Sequence, residues 1–292
     1  YAMSVTEVKT TQWFDFVNAY WRYWEADGGS RISAVFTSQY ISPANFTGPN
    51  PNYAITPGGH NLPIQTTFRL AARYANWLHN GAPLTGSGLG GAPERWVFDT
   101  GAYDASTFYL HPVHGGVMDQ WTRSEGARFW IPSLNEWTKA VYYDPNRYGE
   151  GQEGYWPYPG GQITAPTYGP PGQPGAQSNV YTGAVVPVGS YPDFAGIWGL
   201  LDVSGNVREW TETVERQWII EGQQVSNGGR VVRGGDYGNG DLEIIDEFGR
   251  GTTLAGIRLA MVIPAPGGAA VMAFALTIAT RRRTRTVNTH SS

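Results

Sequence analysis

The sequence predicts a single α+β domain that is rich in loops and poor in regular secondary structure. Of its 292 residues, 39 are Gly and 20 are Pro, which predicts many turns and long connections. Three segments have the periodicity of amphipathic helices, and Phe129-Trp130-Ile131 is typical of a short strand. A hydrophobic content of 41%, with 12 Trp and 17 Tyr, suffices for one large aromatic core.

The predicted helices lie at residues 6–24, 65–79 and within 128–143. In each of them apolar residues recur at spacings of three and four, so that one face can pack on a core. Thr10 or Thr11 is the expected cap of the first helix. The third helix has the clearest start, because Ser133 and Glu136 form a capping box. Glu136 is therefore expected to be a structural cap and not a catalyst.

The charge distribution argues against a nucleic-acid partner. Charged residues make up only 15% of the chain, and its formal net charge is −4. Several of the basic residues are clustered in an Arg run at 281–285, so the rest of the chain is more acidic than the whole. Binding to nucleic acid needs a basic face instead. Cys is absent, which excludes disulfides and thiolate chemistry.

Residues 199–210 form the most informative stretch, which reads Gly-Leu-Leu-Asp-Val-Ser-Gly-Asn-Val-Arg-Glu-Trp. Two carboxylates and an amide lie within eight positions, among residues that allow the backbone to turn. Hard cations such as calcium bind in oxygen-rich, flexible sites of this kind. The alternative interpretation is a strand next to a polar turn, with Trp210 buried in the core.

This stretch resembles the signature of the formylglycine-generating-enzyme (sulfatase-modifying-factor) family, Gly-Leu-Tyr-Asp-Met-x-Gly-Asn-Val-Trp-Glu-Trp. Leu201 and Arg208 depart from it. Arg233-Gly-Gly-Asp-Tyr237 is similar to the family's Arg-Gly-Gly-Ser-Trp, and Gly256-Ile-Arg258 to its closing Gly-Phe-Arg. The resemblance implies an α+β, C-type-lectin-like fold over residues 1–262.

The resemblance also implies calcium as a structural cofactor. In the family one ion is held by side chains and carbonyls that correspond to Asp202, Gly205, Val207 and Glu209. Asn206 is expected to hold the turn through its amide. Asn179 and Val180 correspond to part of a second calcium site, but the segment after them lacks the acidic ligand that this site requires.

The catalytic residues of the family are missing. Formylglycine-generating enzymes bind copper through two redox-active Cys, and the corresponding segment here has none, so no copper is expected. It is acidic instead, which indicates either a ligand pocket or a solvated loop. The candidate ligand-binding residues are Asp236, Tyr237, Asn239, Asp241, Glu243 and Arg250. The five His are scattered, which leaves the iron chemistry of a second branch of the superfamily unsupported.

Residues 263–292 are predicted to form a separate tail. A Pro-Ala-Pro motif precedes an apolar run that is shorter than a comfortable bilayer span, and an Arg cluster follows it. This order resembles a PEP-CTERM-type sorting signal. It implies an exported bacterial protein that the sorting machinery handles at the cell envelope, with residues 267–285 as a membrane anchor before processing.

The sequence thus favours an exported, calcium-stabilised binding module for an unknown glycan, peptide or protein ligand, without catalytic residues. Two alternatives remain at this point. One is an enzyme of the sulfatase-modifying type with cysteine-free chemistry, and the other is a structural protein of the envelope.

Overall fold

The computed structural model describes residues 1–43, 52–238, 240, 248–249 and 254–263. Five α-helices occur in these ranges: α1 (Thr10–Ala26), α2 (Ala34–Thr37), α3 (Phe68–His79), α4 (Trp96–Asp99) and α5 (Leu134–Tyr142). The strands are β1 (Ala2–Met3), β2 (Ile41–Pro43), β3 (Tyr53–Ile55), β4 (Phe129–Trp130), β5 (Tyr143–Asp144), β6 (Gly154–Tyr155), β7 (Glu209–Val214), β8 (Gln217–Ile220), β9 (Gln223–Ser226), β10 (Arg230–Arg233), β11 (Phe248–Gly249) and β12 (Ala260–Met261). The short strands and long connections agree with the loop-rich α+β prediction.

The capping box of the third predicted helix is confirmed at the start of α5. Glu136 N donates to Ser133 Oγ at 3.2 Å, and Ser133 N donates to Glu136 Oε2 at 2.9 Å. The first predicted helix starts too early, because α1 begins at Thr10 with Lys9 as its N-cap residue. The chain before it is not helical, and Val8 N donates to Ile257 O at 2.7 Å. Backbone pairing with a distant segment therefore outweighs the local helical pattern.

Two three-stranded antiparallel sheets bring distant parts of the chain together. One has the order β1-β12-β4 and joins the first residues to the end of the family-like region. The other has the order β11-β10-β7 and carries the end of the 199–210 stretch. The remaining strands pair as two-stranded ribbons. No helix within the described ranges is long and apolar enough to span a bilayer.

The core is dominated by aromatic side chains of α1, α3 and α4. Phe16 lies within 6.0 Å, between ring centroids, of Trp13, Tyr20, Tyr74, Trp77 and Phe98. Aromatic pairs at this distance stabilise a fold by more than the burial of their apolar surface alone. Trp210 joins this core with 1% exposure, and its indole N–H donates to Thr66 O at 2.8 Å. The predicted tail, 263–292, lies outside the described residues from 264 onward and stays a prediction.

Asn76→Ala should be strongly destabilising. The fully buried Asn76 amide donates to Phe98 O and Tyr103 O, both at 2.8 Å, and accepts from Tyr103 N at 2.7 Å. Truncation leaves three buried backbone groups without partners, at a cost of about 1–3 kcal/mol each. Urea unfolding should show this loss. Asn18→Ala in α1, which removes one bond within the helix, is the matched control and should have little effect.

Candidate functional site

The 199–210 stretch enters β7 through a tight turn that rests on a second loop. Gly205 has φ +83°, and a Cβ added there would lie 2.5 Å from Asn179 O, so only Gly permits this backbone approach. Asp202 and Asn206 also have positive φ, of 57° and 63°. Such conformations in residues other than Gly persist only where surrounding contacts fix them.

The Asn206 amide supplies these contacts, as the sequence predicted. Its Oδ1 accepts from Asn179 Nδ2 at 3.1 Å and from Val186 N at 3.0 Å, and its Nδ2 donates to Val186 O. The Asn179 amide likewise binds groups of the neighbouring loop. Its Nδ2 also donates to Ala184 O, and its Oδ1 accepts from the Thr182 hydroxyl. Val180 is 1% exposed. The Asn179 side chain, proposed from the resemblance for a second calcium site, is thus engaged by protein groups.

Glu209 is held by an arginine. Arg258 Nε lies 3.0 and 2.9 Å from the two carboxylate oxygens, and its Nη2 lies 2.7 Å from Oε1. The Trp137 indole N–H donates to Oε2 at 2.6 Å. Both Glu209 and Arg258 are 0% exposed, so this is a fully desolvated, bidentate ion pair.

The predicted calcium ligands do not fit the ion at Glu209. A carboxylate offers about four lone-pair directions, and three N–H groups, from Arg258 Nε, Arg258 Nη2 and the Trp137 indole, already bind this one. A guanidinium also sits on this carboxylate, where a second cation would be repelled. The sequence position of Glu209 does not reveal this ion pair, since Arg258 is 49 residues away in the sequence. For the carbonyls of Gly205 and Val207 the calcium site stays a prediction.

Asp202 lies beside a carboxylate that the sequence did not single out, that of Glu7. Asp202 Oδ2 accepts from Gly189 N at 2.6 Å, whereas its Oδ1 and both oxygens of Glu7 are buried and have no hydrogen-bond donor among the described residues. Burial, with Asp202 and Glu209 nearby, raises the pKa of the Glu7 carboxyl well above its usual value. Burial likewise raises the pKa of Asp202. Glu7 precedes α1 in a segment that had been assigned to a helix, so its position next to Asp202 was not foreseen.

Another buried carboxylate, Glu212 in β7, has the partners that Glu7 lacks. Its oxygens accept from Arg123 Nη1 at 2.8 Å, Arg123 N at 3.0 Å and the Tyr103 hydroxyl at 3.1 Å. Arg123 also bridges to Glu136, which ties the helix cap to the sheet. Burial raises the pKa of Glu212 as well. These four groups form a satisfied structural network, of which Arg123 and Glu212 line a surface cavity of about 610 Å³.

The candidate ligand-binding residues Asp236 and Tyr237 lie directly against the turn at Asn206. Asp236 Oδ2 is 3.2 Å from Arg208 Nε, and Tyr237 N donates to Asn206 O at 3.2 Å. The other candidates, Asn239, Asp241, Glu243 and Arg250, lie outside the described residues.

Tyr40, Tyr168, Tyr181 and Tyr237 are linked through neighbouring loops, and these four residues are named the tyrosine patch. Gly183 N donates to Tyr237 O at 3.1 Å, so the loop that carries Tyr181 lies next to Tyr237. Tyr181 is 63% exposed and stacks edge-on against Tyr168, with ring centroids 5.7 Å apart. The pKa of Tyr40 is raised above its usual value, mainly by burial and to a smaller extent by the nearby Tyr237. The tyrosines come from four separate loops, so no sequence spacing could have revealed the patch.

Comparison with known proteins places this geometry in context. The family model described as a sulfatase-modifying factor enzyme 1-like domain matches residues 1–258. This match confirms the resemblance and the fold class predicted from it. No curated protein sequence matches the chain significantly.

Two solved structures are similar over most of the chain. CarF is 19% identical with a TM-score of 0.46, and the match covers 90% of this chain and 86% of CarF. Treponema denticola variable protein 1 is 18% identical with a TM-score of 0.46, and the match covers 89% and 83% of the two chains.

Arg258→Met should destabilise the protein more than Glu209→Gln. Removal of the guanidinium leaves the buried Glu209 carboxylate beside two further buried acids, Glu7 and Asp202, whereas removal of the Glu209 charge leaves Arg258 near these two acids. Breaking a buried pair costs about 3–5 kcal/mol, and the arginine variant should exceed this range.

The measurement is the free energy of unfolding in urea at constant m-value. Adding Glu209→Gln to Arg258→Met should recover part of the lost stability, because it removes one of the uncompensated charges. Equal losses for the two single variants, with no recovery in the double variant, would contradict this account.

Proposed function

Because the chain belongs to the sulfatase-modifying factor family, we propose that it is an exported binding module of that family without formylglycine-generating activity. The observation that carries the proposal is the absence of Cys from the whole sequence. The family's oxidation, as the resemblance describes it, uses thiolates as copper ligands and as the reactive groups. No other residue type supplies a thiolate, so the fold is left with binding and not with this chemistry.

The ligand surface that we propose is the tyrosine patch with the Arg208–Asp236 ion pair beside it. Tyrosines give large contact area at low entropic cost, and their hydroxyls donate and accept hydrogen bonds. The ion pair adds polar groups that can orient a ligand, as in most small binding sites. This chemistry suits a glycan, a peptide or a loop of a partner protein, and it gives no role to nucleic acid.

Export is the second part of the proposal and rests on the sequence. The Pro-Ala-Pro motif, the apolar run and the Arg cluster of 263–292 support handling by a sorting machinery at the envelope. In that setting the binding surface would face the outside of the cell, where glycans and surface proteins are available.

Substitutions in the tyrosine patch should reduce ligand binding without unfolding the protein. Glycan and peptide arrays probed with the purified chain should identify a ligand. Tyr181→Ala and Tyr237→Ala should then lower its affinity at least tenfold, because each removes aromatic contact area. Tyr148→Ala is the matched control, since Tyr148 is also 63% exposed but lies in the β5–β6 connection. Equal binding by all variants would place the ligand elsewhere.

The purified chain should not convert the Cys of a sulfatase-derived peptide to formylglycine when it is loaded with copper. Mass spectrometry of the peptide measures the conversion, with a cysteine-containing formylglycine-generating enzyme as the positive control. Turnover above the enzyme-free background would show that a cysteine-free reaction exists and would refute this part of the proposal.

A further inference from the structure

A cavity of about 490 Å³ lies between α1, α3 and the β1-β12-β4 sheet. Sites for small molecules in proteins have volumes of about 300–1,000 Å³, so this cavity is large enough to hold one. Its lining includes no residue of the tyrosine patch and none of the 199–210 stretch. Its walls are mainly apolar and are formed by Tyr74, Trp77, Leu78, Phe129, Leu259 and Met261.

The geometry of α3 and of the sheet turns these apolar side chains toward one another. The three α3 residues are three and four positions apart, so they lie on one side of the helix. Met261 pairs with Phe129 across β12 and β4, and such partners project from the same face of a sheet. Leu259, two residues before Met261, shares that face. The Trp77 indole N–H donates to Pro83 O at 2.8 Å, so Trp77 offers the cavity its apolar ring.

Asp15 of α1 is the wall residue that does not suit an apolar lining. Burial alone raises the pKa of its carboxyl, and no cation or hydrogen-bond donor among the described residues lies against it. Asp is also a poor helix former, and α1 begins at Thr10, so Asp15 lies beyond the first turn, where an acid would favour the helix dipole. Neither helix stability nor an ion pair accounts for this acid, and such groups are concentrated at functional sites.

Asp15 is also the acid that a molecule inside the cavity would meet. Glu7 lines the cavity as well, but both of its carboxylate oxygens are buried from solvent. Arg128 is exposed at the rim, where its Nη1 donates to His79 O at 3.1 Å. Arg128 does not lower the pKa of Asp15. The cavity therefore presents a negative charge that the protein itself does not neutralise.

The Tyr74 hydroxyl adds a neutral polar group near this acid. Burial, followed by the nearby Asp15, raises the pKa of Tyr74 well above its usual value, so the hydroxyl stays protonated at neutral pH. A protonated hydroxyl still accepts hydrogen bonds, for example from an ammonium group. The aromatic rings of Tyr74, Trp77 and Phe129 add walls of the kind that attract organic cations.

We propose that this cavity binds a small organic amine, whose protonated nitrogen lies against Asp15 and whose apolar body lies between α3 and the sheet. An apolar ligand would leave the Asp15 carboxylate desolvated and unpaired, which is costly, and an anion would be repelled. Tyr74, Trp77 and Leu259 are buried, so the cavity reaches into the interior and admits a small molecule and not a folded partner.

A ligand of this size has a route into the cavity. Gln12, Gly81 and Arg128 line it and are exposed. A Cβ added at Gly81 would meet no atom within 4 Å, which marks open space on this side. The inference does not depend on the proposed function, because the tyrosine patch contributes nothing to the cavity.

The test is calorimetric titration of the purified full chain with phenethylamine, phenethyl alcohol and phenylacetate, which share one ring and differ in charge. Wild type should bind the amine about tenfold or more tightly than the alcohol or the acid, because a hydrogen-bonded ion pair forms with Asp15. Asp15→Asn should remove this preference and leave the affinity for the alcohol unchanged. Asp193→Asn is the matched control, since Asp193 is an exposed acid outside the cavity, and it should bind like wild type.

A second measurement separates loss of the site from loss of the fold. Because the pKa of Asp15 is raised in the folded chain, its ionisation costs stability at neutral pH, and an amide does not carry this cost. Without ligand, Asp15→Asn should therefore melt at or above wild type. Met261→Trp keeps the acid but fills the cavity, so it should weaken the binding of all three probes while its thermal unfolding stays cooperative.

Four results would overturn the inference. The first is an amine that wild type does not bind at millimolar concentration, and the second is an amine bound no more tightly than the alcohol. The third is an unchanged preference for the amine in Asp15→Asn, which would place the recognising acid elsewhere. The fourth is undiminished binding by Met261→Trp, which would place the ligand outside this cavity.

Discussion

The buried ion pair between Arg258 and Glu209 is the interaction on which the site depends. One guanidinium binds the carboxylate at the start of β7 and the carbonyls of Ser4, Val5 and Leu201. It therefore fastens the N-terminal segment and the central turn to the chain just before β12. A neutral side chain could fill this space but could not satisfy a buried carboxylate and three carbonyls at once.

Arginine takes the same role elsewhere in this loop-rich molecule. Arg230 donates to Gln120 O at 2.8 Å and Trp121 O at 3.1 Å, and its guanidinium lies 4.0 Å from the Phe68 ring centroid. Burial lowers its pKa to about 10, which still leaves it charged at neutral pH. Short strands give few ladder hydrogen bonds, so buried side chains must satisfy the backbone groups of the long loops.

Features encoded within a few residues were predictable, and those that depend on distant partners were not. The capping box at Ser133 needs only residues 133–136, and the sequence identified it. The start of α1 was misplaced because residues before it pair with the segment at Ile257. The resemblance assigned Glu209 to a calcium site, but it could not show that Arg258, 49 residues further along the chain, would pair with this carboxylate.

The dependence on distant partners also explains why the sequence did not single out Glu7. A glutamate before a helix is common in sequences, and nothing local distinguishes a solvated one from one buried against Asp202. Only the pairing of residues 4–8 with 257–259 brings the two carboxylates together. Asp202 begins the turn that ends at Asn206, and Asn206 O accepts from Tyr237 N, so the buried acids Glu7 and Asp202 lie at one end of this turn and the tyrosine patch lies at the other. The buried acids beside Arg258 and the proposed ligand surface are therefore supported by one and the same turn.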